Sequence, residues 1–383
     1  MTSSLVWRVP LAMFLIATVA LSGKPSNAQG LRAETLASGL QNPWAVAFLP
    51  QGRFLVTERP GRMRVIEADG KLGTPLPGLP SIEAGGQGGL LDVITDTGFA
   101  NNRRIYFCFS EPAASGGGNS TALARATLAS DNSRLEDVQV IFSQKPKFAS
   151  SAHFGCRIVE GQKEGKPDAT LFLTLGDRFS RMQDAQKLDN HHGKVVRINK
   201  DGSVPPDNPF VGRPGALPEI WSYGHRNMQG AALTPDGTYW THEHGPQGGD
   251  EINLPQAGRN YGWPVITYGE NYGGGKIGDG ITSKAGMEQP LHYWVPSIAP
   301  SGMVFLTSDK YGKAWQGNLF VGSLKFAYLN RIELSEPFKG KVVREHKLLE
   351  GAGRIRDVRQ GPDGLLYLLT DSPQGRLLRL QPQ

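Results

Sequence analysis

One unit recurs along this sequence, and the recurrence restricts the fold more than any other feature. Residues 42–57 read Asn-Pro-Trp-Ala-Val-Ala-Phe-Leu-Pro-Gln-Gly-Arg-Phe-Leu-Val-Thr: a polar lead, an alternating apolar run, a glycine turn and a second apolar run. The cadence returns around Pro235-Asp236-Gly237 and Pro362-Asp363-Gly364, with weaker echoes beginning near Gly88, Phe154 and Gly302. Proline presets φ, aspartate caps the turn and glycine supplies φ > 0, so Pro-Asp-Gly between alternating runs marks a hairpin. Six units over about 355 residues allow roughly 60 residues each, enough for four strands and their loops. Such a unit buries its faces only against its neighbours, and closing the units into a ring protects the edges. The expected fold is all-β, a six-bladed β-propeller with four-stranded antiparallel blades, filling residues 29–383 as one domain. A sandwich pair or a right-handed β-helix is the alternative; long units with unequal inserts favour the propeller. The best helical candidate, residues 181–188, is short.

The first 28 residues follow a different grammar. Arg8 precedes the apolar residues 9–21, and Ser26-Asn27-Ala28 offers small residues for cleavage. That order is the signature of a secretory signal peptide, and the apolar core is shorter than a membrane span. Residues 1–28 are expected to be removed and the mature chain to be periplasmic or secreted, without stable membrane insertion. The formal charge of +6 then falls to +4, because Arg8 and Lys24 are lost and no acid is. Lysine and arginine are scattered rather than clustered, which excludes nucleic acid as the main partner. In an oxidising compartment Cys108 and Cys156 are either one disulfide or two buried thiols.

In a propeller the inner strands and their loops converge on a central channel, and the polar clusters stand where the units begin. Gly85-Gly-Gln-Gly-Gly-Leu-Leu-Asp92 opens the second unit and Ser151-Ala-His-Phe-Gly155 the third. Tyr223-Gly-His-Arg-Asn-Met-Gln-Gly230 opens the fourth and Gly353-Arg-Ile-Arg-Asp357 the last, while Leu175-Gly-Asp-Arg178, residues 242–253 and Lys325 follow second strands. Each cluster also has a plain structural reading. Arg226 suits an inter-blade ion pair, His191-His192 a turn, and Asp250-Glu251 either turn capping or calcium ligation. His242 and His244 share one strand face, but no further ligand follows at zinc spacing. No nucleophile elbow, P-loop, HExxH or dinucleotide fingerprint occurs, and neither cysteine sits in a Cys-x-x-Cys pair, so redox chemistry needs a bound cofactor.

The motifs Gly85-Gly-Gln-Gly-Gly-Leu-Leu-Asp, His153-Phe-Gly, Leu175-Gly-Asp, Gly224-His-Arg-Asn, His244-Gly-Pro-Gln-Gly-Gly-Asp-Glu-Ile-Asn, Asn260-Tyr-Gly-Trp-Pro, Pro296-Ser-Ile-Ala-Pro-Ser and Arg354-Ile-Arg-Asp resemble the soluble glucose/sorbosone dehydrogenase family. Its members are PQQ-dependent, calcium-containing six-bladed propellers, and the resemblance is greatest to the soluble periplasmic aldose sugar dehydrogenases. The resemblance implies oxidation of an aldose at C1 to the lactone, by hydride transfer to PQQ, with an external electron acceptor. It implies that His153 is the general base, that Asp177 orients it, and that Arg226 stabilises the developing oxyanion. It further implies that Gln87, Arg226, Asn227, Tyr272, Lys325, Arg354 and Arg356 contact the cofactor. Carbonyls of Gly245 and Pro246 would hold the cofactor's Ca²⁺, with Glu251 and Tyr261 at a second calcium site.

Two departures stand out: Cys156 replaces a glycine after the base, with Cys108 as its candidate partner, and His244 stands where glucose-specific members carry glutamine. The pair hints at a disulfide near the base; His244 favours the broader aldose branch. The rival readings are a calcium-dependent propeller lactonase, which would not need the set Lys325, Arg354 and Arg356, and a non-catalytic sugar- or protein-binding propeller, which would lack a base aimed at the channel. A monomer is expected in preference to a dimer.

Overall fold

A computed structural model describes Met1 and residues 30–383; the expected signal peptide and its cleavage site therefore lie outside the described residues. Six four-stranded antiparallel sheets surround a central axis. Their inner strands are Pro43–Phe48, Leu90–Thr95, Gly155–Lys163, Met228–Leu233, Pro300–Phe305 and Ile355–Gln360, opening blades 1 to 6. These starts coincide with the repeat read from the sequence. In blades 1 to 5 the strands follow one another outward; in blade 6 the outermost strand is Leu31–Leu40, paired with Gly375–Pro382. The first and last strands of the described residues thus pair to close the ring between the first and last blades. The candidate helical stretch forms only a 3₁₀ turn, Met182–Gln186.

The turns work as their residues require. Gly237 and Gly364 have φ of 88° and 80°, and the preceding aspartates accept backbone N–H groups from Thr238 and Leu365 at 3.1 Å. The apolar core runs between blades rather than through a single centre: one cluster joins blades 1 to 3, and smaller ones join blades 3 and 4, 4 and 5, 5 and 6, and 6 and 1. Charges also cross between blades. Arg157 bonds Asp92 at 3.2 Å and Asp357 at 2.9 Å, and Arg359 bonds the same two carboxylates at 2.7 and 3.0 Å. With two cations against two anions, this buried set is compensated and belongs to the ring closure, not to chemistry.

Cys108 and Cys156 form a disulfide between blades 2 and 3, 48 residues apart in sequence. Both cysteines are fully buried in the cluster joining blades 1 to 3, and Cys156 lies three residues after His153. A bond closing a loop of this length restricts the unfolded chain and is worth about 2–5 kcal/mol. Replacing both cysteines by serine is expected to lower the denaturant midpoint correspondingly; an unchanged midpoint would show that the bond contributes nothing in solution.

Candidate active site

Every inner strand begins with a β-bulge. The pairing register slips between Pro43 and Ala45, Leu90 and Val93, Gly155 and Ile158, Met228 and Gly230, Pro300 and Met303, and Ile355 and Asp357. A bulge bends its strand and re-aims the extra residue. Here Trp44, Leu91, Gln229 and Arg356 all fall within bulges and all line the central cavity, whose volume is about 480 Å³. Four cationic side chains, Arg59, Lys325, Arg354 and Arg356, face this space against a single carboxylate, Asp371. Asp371 is committed: Arg356 bonds it at 2.8 Å and Arg354 approaches at 3.5 Å. Burial raises this carboxyl, but Arg356 more than offsets the effect and holds it at about 2. The cavity therefore keeps an excess of positive charge suited to an anion.

His153 does not itself line this cavity but stands directly behind its wall, next in sequence to Phe154 and Gly155, which do line it. Its Nδ1 lies 2.6 Å from Asp177 Oδ1, so the buried carboxylate selects the Nδ1–H tautomer and Nε2 is the nitrogen that can take a proton. The His153 backbone is left-handed, with φ 52°, a costly state for a non-glycine residue. Three contacts hold it there. The His153 N–H donates to Gln87 Oε1 at 2.8 Å, Asp177 fixes the ring, and Arg178 clamps the preceding segment by donating to the carbonyls of Ser150 and Ala152 at 2.6 and 2.8 Å. Gly176 is needed beside them, because a Cβ there would meet the His153 carbonyl oxygen at 2.1 Å. Burial, with help from Arg226 and Arg178, pushes the imidazole below its ordinary value although Asp177 opposes this. The ring is neutral at neutral pH, as a base must be.

Arg226 reaches the same place from blade 4. It donates to the carbonyls of His244 and Gly245 at 3.0 and 2.8 Å, lies 5.3 Å from the Trp263 ring centre, and approaches the Tyr272 hydroxyl at 3.4 Å. Its Nε is buried without a partner. Asn227 is buried in the cavity wall and accepts the Gly155 N–H at 3.1 Å. Tyr272 is 63% exposed and does not line the cavity. His244 lines the cavity, donates Nε2–H to the Pro300 carbonyl at 2.7 Å, and is held neutral, down to about 3, chiefly by burial.

Three of the four expected calcium residues gather beside Arg226. Gly245, Glu251 and Tyr261 line one small recess with Glu243, while Pro246, next in sequence to Gly245, lines neither this recess nor the central cavity. Burial reinforced by the Glu243 charge pushes Glu251 up to about 8. The Tyr261 hydroxyl is occupied by the Leu254 carbonyl and the Gln256 N–H, so only its backbone could serve a cation. Asp250 is a cap: its carboxylate accepts N–H groups from Gly245, Ile298 and Ala299 and the Ser297 hydroxyl. Among the described residues no three His, Cys, Asp or Glu side chains converge as a metal site. A cation here would draw largely on carbonyls and water, which suits Ca²⁺ rather than zinc. His191 and His192 are buried structural residues, bonded to Lys145, Glu219, Asp184 and Pro146.

Several site residues were not individually legible. Trp44, Gln229, Arg59 and Asp371 sit in ordinary strand or loop contexts, and only the bulges and the ring closure bring them together. The arginine after Gly176-Asp177 carried a weak signal, since a charged residue at a strand end next to the base suggests a brace.

Residues 40–379 match the model of the family described as Glucose / Sorbosone dehydrogenase. Aldose sugar dehydrogenase YliI of Escherichia coli (strain K12) is 44% identical over 377 residues, covering 97% of this chain and 99% of that protein. The solved structure of the soluble aldose sugar dehydrogenase from Escherichia coli in its apo-form superposes with a TM-score of 0.86 at 44% identity, over 92% of this chain and 100% of that one. The PQQ-bound form of aldose sugar dehydrogenase from Streptomyces coelicolor gives a TM-score of 0.73 at 28% identity, over 93% and 99%. Among the described residues no helix is long and apolar enough to cross a membrane. With its fold and nearly its whole length matched, this chain belongs to the glucose/sorbosone dehydrogenase family of oxidoreductases.

Proposed function

We propose that this protein oxidises the C1 hydroxyl of a cyclic aldose to the lactone, using PQQ with a calcium ion. The observation that carries the reading is the neutral His153–Asp177 pair beside a cavity with four cations and one carboxylate. The donor set fits a flat tricarboxylate: Lys325, Arg354 and Arg356 provide fixed positive charge, Trp44 and Leu91 apolar walls, and Asn227 and Gln229 amide groups. When bound, PQQ supplies a quinone that takes up the hydride, and Ca²⁺ a Lewis acid that polarises it.

The residues of the chain do the rest. His153 Nε2 takes the proton of the C1 hydroxyl, and loss of that proton strengthens C1 as a hydride donor. Asp177 keeps the imidazole in the required tautomer and stabilises the imidazolium that forms. Arg226 places its guanidinium where negative charge develops. Gly245 and Pro246 carbonyls would hold the cofactor's Ca²⁺, with Glu251 and the Tyr261 backbone at a second site; a cation there would favour the ionised form of Glu251, which burial and the Glu243 charge otherwise oppose. The loop of residues 269–286, which carries Tyr272, is the place for sugar selection, since loops on a rigid scaffold set specificity.

The reading is tested by titrating metal-stripped protein with PQQ and Ca²⁺ in the presence of an aldose and an artificial electron acceptor. Dye reduction is expected to saturate near one PQQ per chain and to vanish under chelation. Absence of both PQQ binding and dye reduction across several aldoses would redirect the site to lactone hydrolysis.

A further inference from the structure

We infer that Trp263 is a positioning residue for the His153–Asp177 pair, acting through the second oxygen of the carboxylate. The inference rests on the reading of His153 as the base. Asp177 Oδ1 is shared by the His153 ring and the Phe179 N–H, at 2.6 and 2.8 Å. Its Oδ2 accepts the Trp263 indole Nε1–H at 2.7 Å, across 86 residues of sequence. A carboxylate held at one oxygen only can turn about its terminal torsion, which is broad and shallow. Held at both, it cannot turn without breaking a bond in a buried setting, where an unmade hydrogen bond is costly.

The indole is itself fixed on every side. Its ring packs with Ala185 and Ile277, and its backbone N–H donates to the Gly224 carbonyl at 2.9 Å. Its carbonyl accepts Gln186 Nε2 at 2.7 Å. Ala185 and Gln186 belong to the Met182–Gln186 turn, which buried Lys194 secures by donating Nζ–H to the carbonyls of Asp184 and Ala185 at 3.0 and 3.2 Å. Gly224 immediately precedes His225 and Arg226, and the Arg226 guanidinium lies 5.3 Å from the same indole. Trp263 therefore ties the blade 3 acid to the blade 4 arginine through one rigid ring.

The charged and titratable groups around His153 are Asp177, Arg226 and Arg178, with His244, which burial keeps neutral, also facing it. Removing the indole donor concentrates negative charge on the oxygens facing His153, which favours the imidazolium, and frees the carboxylate to turn. Trp263→Phe keeps an aromatic ring and deletes the N–H. In the reconstituted enzyme it is expected to lower kcat about tenfold with KM for the sugar unchanged, and to move the acid limb of the pH profile to higher pH. In cofactor-free protein labelled with ¹⁵N-histidine, the His153 titration is expected to move the same way. A variant that loses stability but keeps both the wild-type profile and the His153 titration would overturn the inference and leave a packing role.

Because Trp263→Phe could fail to fold, a second measurement uses an unchanged Trp263. In cofactor-free protein one indole N–H resonance should track the His153 titration and be displaced by Asp177→Asn; no such resonance would refute the coupling. His153→Gln separates the two levels. If it leaves turnover intact, the base assignment fails; if it abolishes turnover while Trp263→Phe leaves the profile unmoved, only the role of Trp263 fails.

Discussion

His153→Gln is expected to lower turnover by at least ~10² while folding and PQQ affinity stay near wild type. Glutamine retains a polar side chain of similar reach but cannot accept the C1 proton, so the loss isolates the base. The pH dependence sharpens the test. Burial is the largest cause of the depressed His153 value, Arg226 and Arg178 add to it, and Asp177 only partly restores it. The folded protein therefore holds Nε2 unprotonated through the neutral range. Turnover should be flat around neutrality and fall only as pH drops through a point below the 6.5 of an unperturbed imidazole. Steady-state kcat against pH, measured at saturating PQQ and sugar, gives both readings. Unchanged turnover in the variant, or an acid limb that survives it, would remove His153 as the base.

The double variant Arg354→Ala with Arg356→Ala should weaken PQQ binding strongly, and the two residues should contribute unequally. Arg356 is nearly enclosed, its side chain 12% exposed, while that of Arg354 is 54% exposed. A charge-assisted hydrogen bond in a closed site is worth about 1.5–3 kcal/mol, or roughly 10- to 150-fold in Kd, and screening brings an exposed partner toward the lower end. Arg356→Ala alone should therefore account for most of the loss. It also leaves Asp371 with only the Asn42 amide, at 3.1 Å, and the distant Arg354. A lower melting temperature should accompany the weaker binding in Arg356→Ala but not in Arg354→Ala. Quenching of intrinsic fluorescence on PQQ addition measures the affinity. Wild-type affinity in the double variant would place the cofactor's carboxylates elsewhere in the ring.

The repeat made the architecture legible because it is written in local chemistry: Pro-Asp-Gly turns and alternating runs need only short-range physics to be read. The residues opening each blade were legible for a related reason. Gly85 to Asp92, His153 to Gly155 and Gly224 to Asn227 break the apolar alternation where strands meet the channel. Illegible were features that depend on register. A bulge at the head of a strand leaves little mark in composition, yet it decides that Trp44, Gln229 and Arg356 face the cavity and not the next blade. The disulfide was one of two open readings of Cys108 and Cys156, since only pairing across blades places the sulfurs together. Asp250 was equally open between cap and ligand, and four hydrogen bonds to its carboxylate decide for the cap. Trp263 lay inside a quoted motif without a role, because its partner is 86 residues away.

Blade 6 cannot be completed by a contiguous stretch of chain: its outer strand, Leu31–Leu40, is synthesised before every other strand of the ring, and its neighbour Gly375–Pro382 after them all. Until Gly375–Pro382 is made, the growing chain carries an unsatisfied early strand and a sheet missing members. Both expose backbone groups that invite pairing with other chains. The ring is thus an all-or-nothing object in time as well as in space. A C-terminal truncation by even one strand should leave Leu31–Leu40 unpaired and yield aggregated rather than partly active protein.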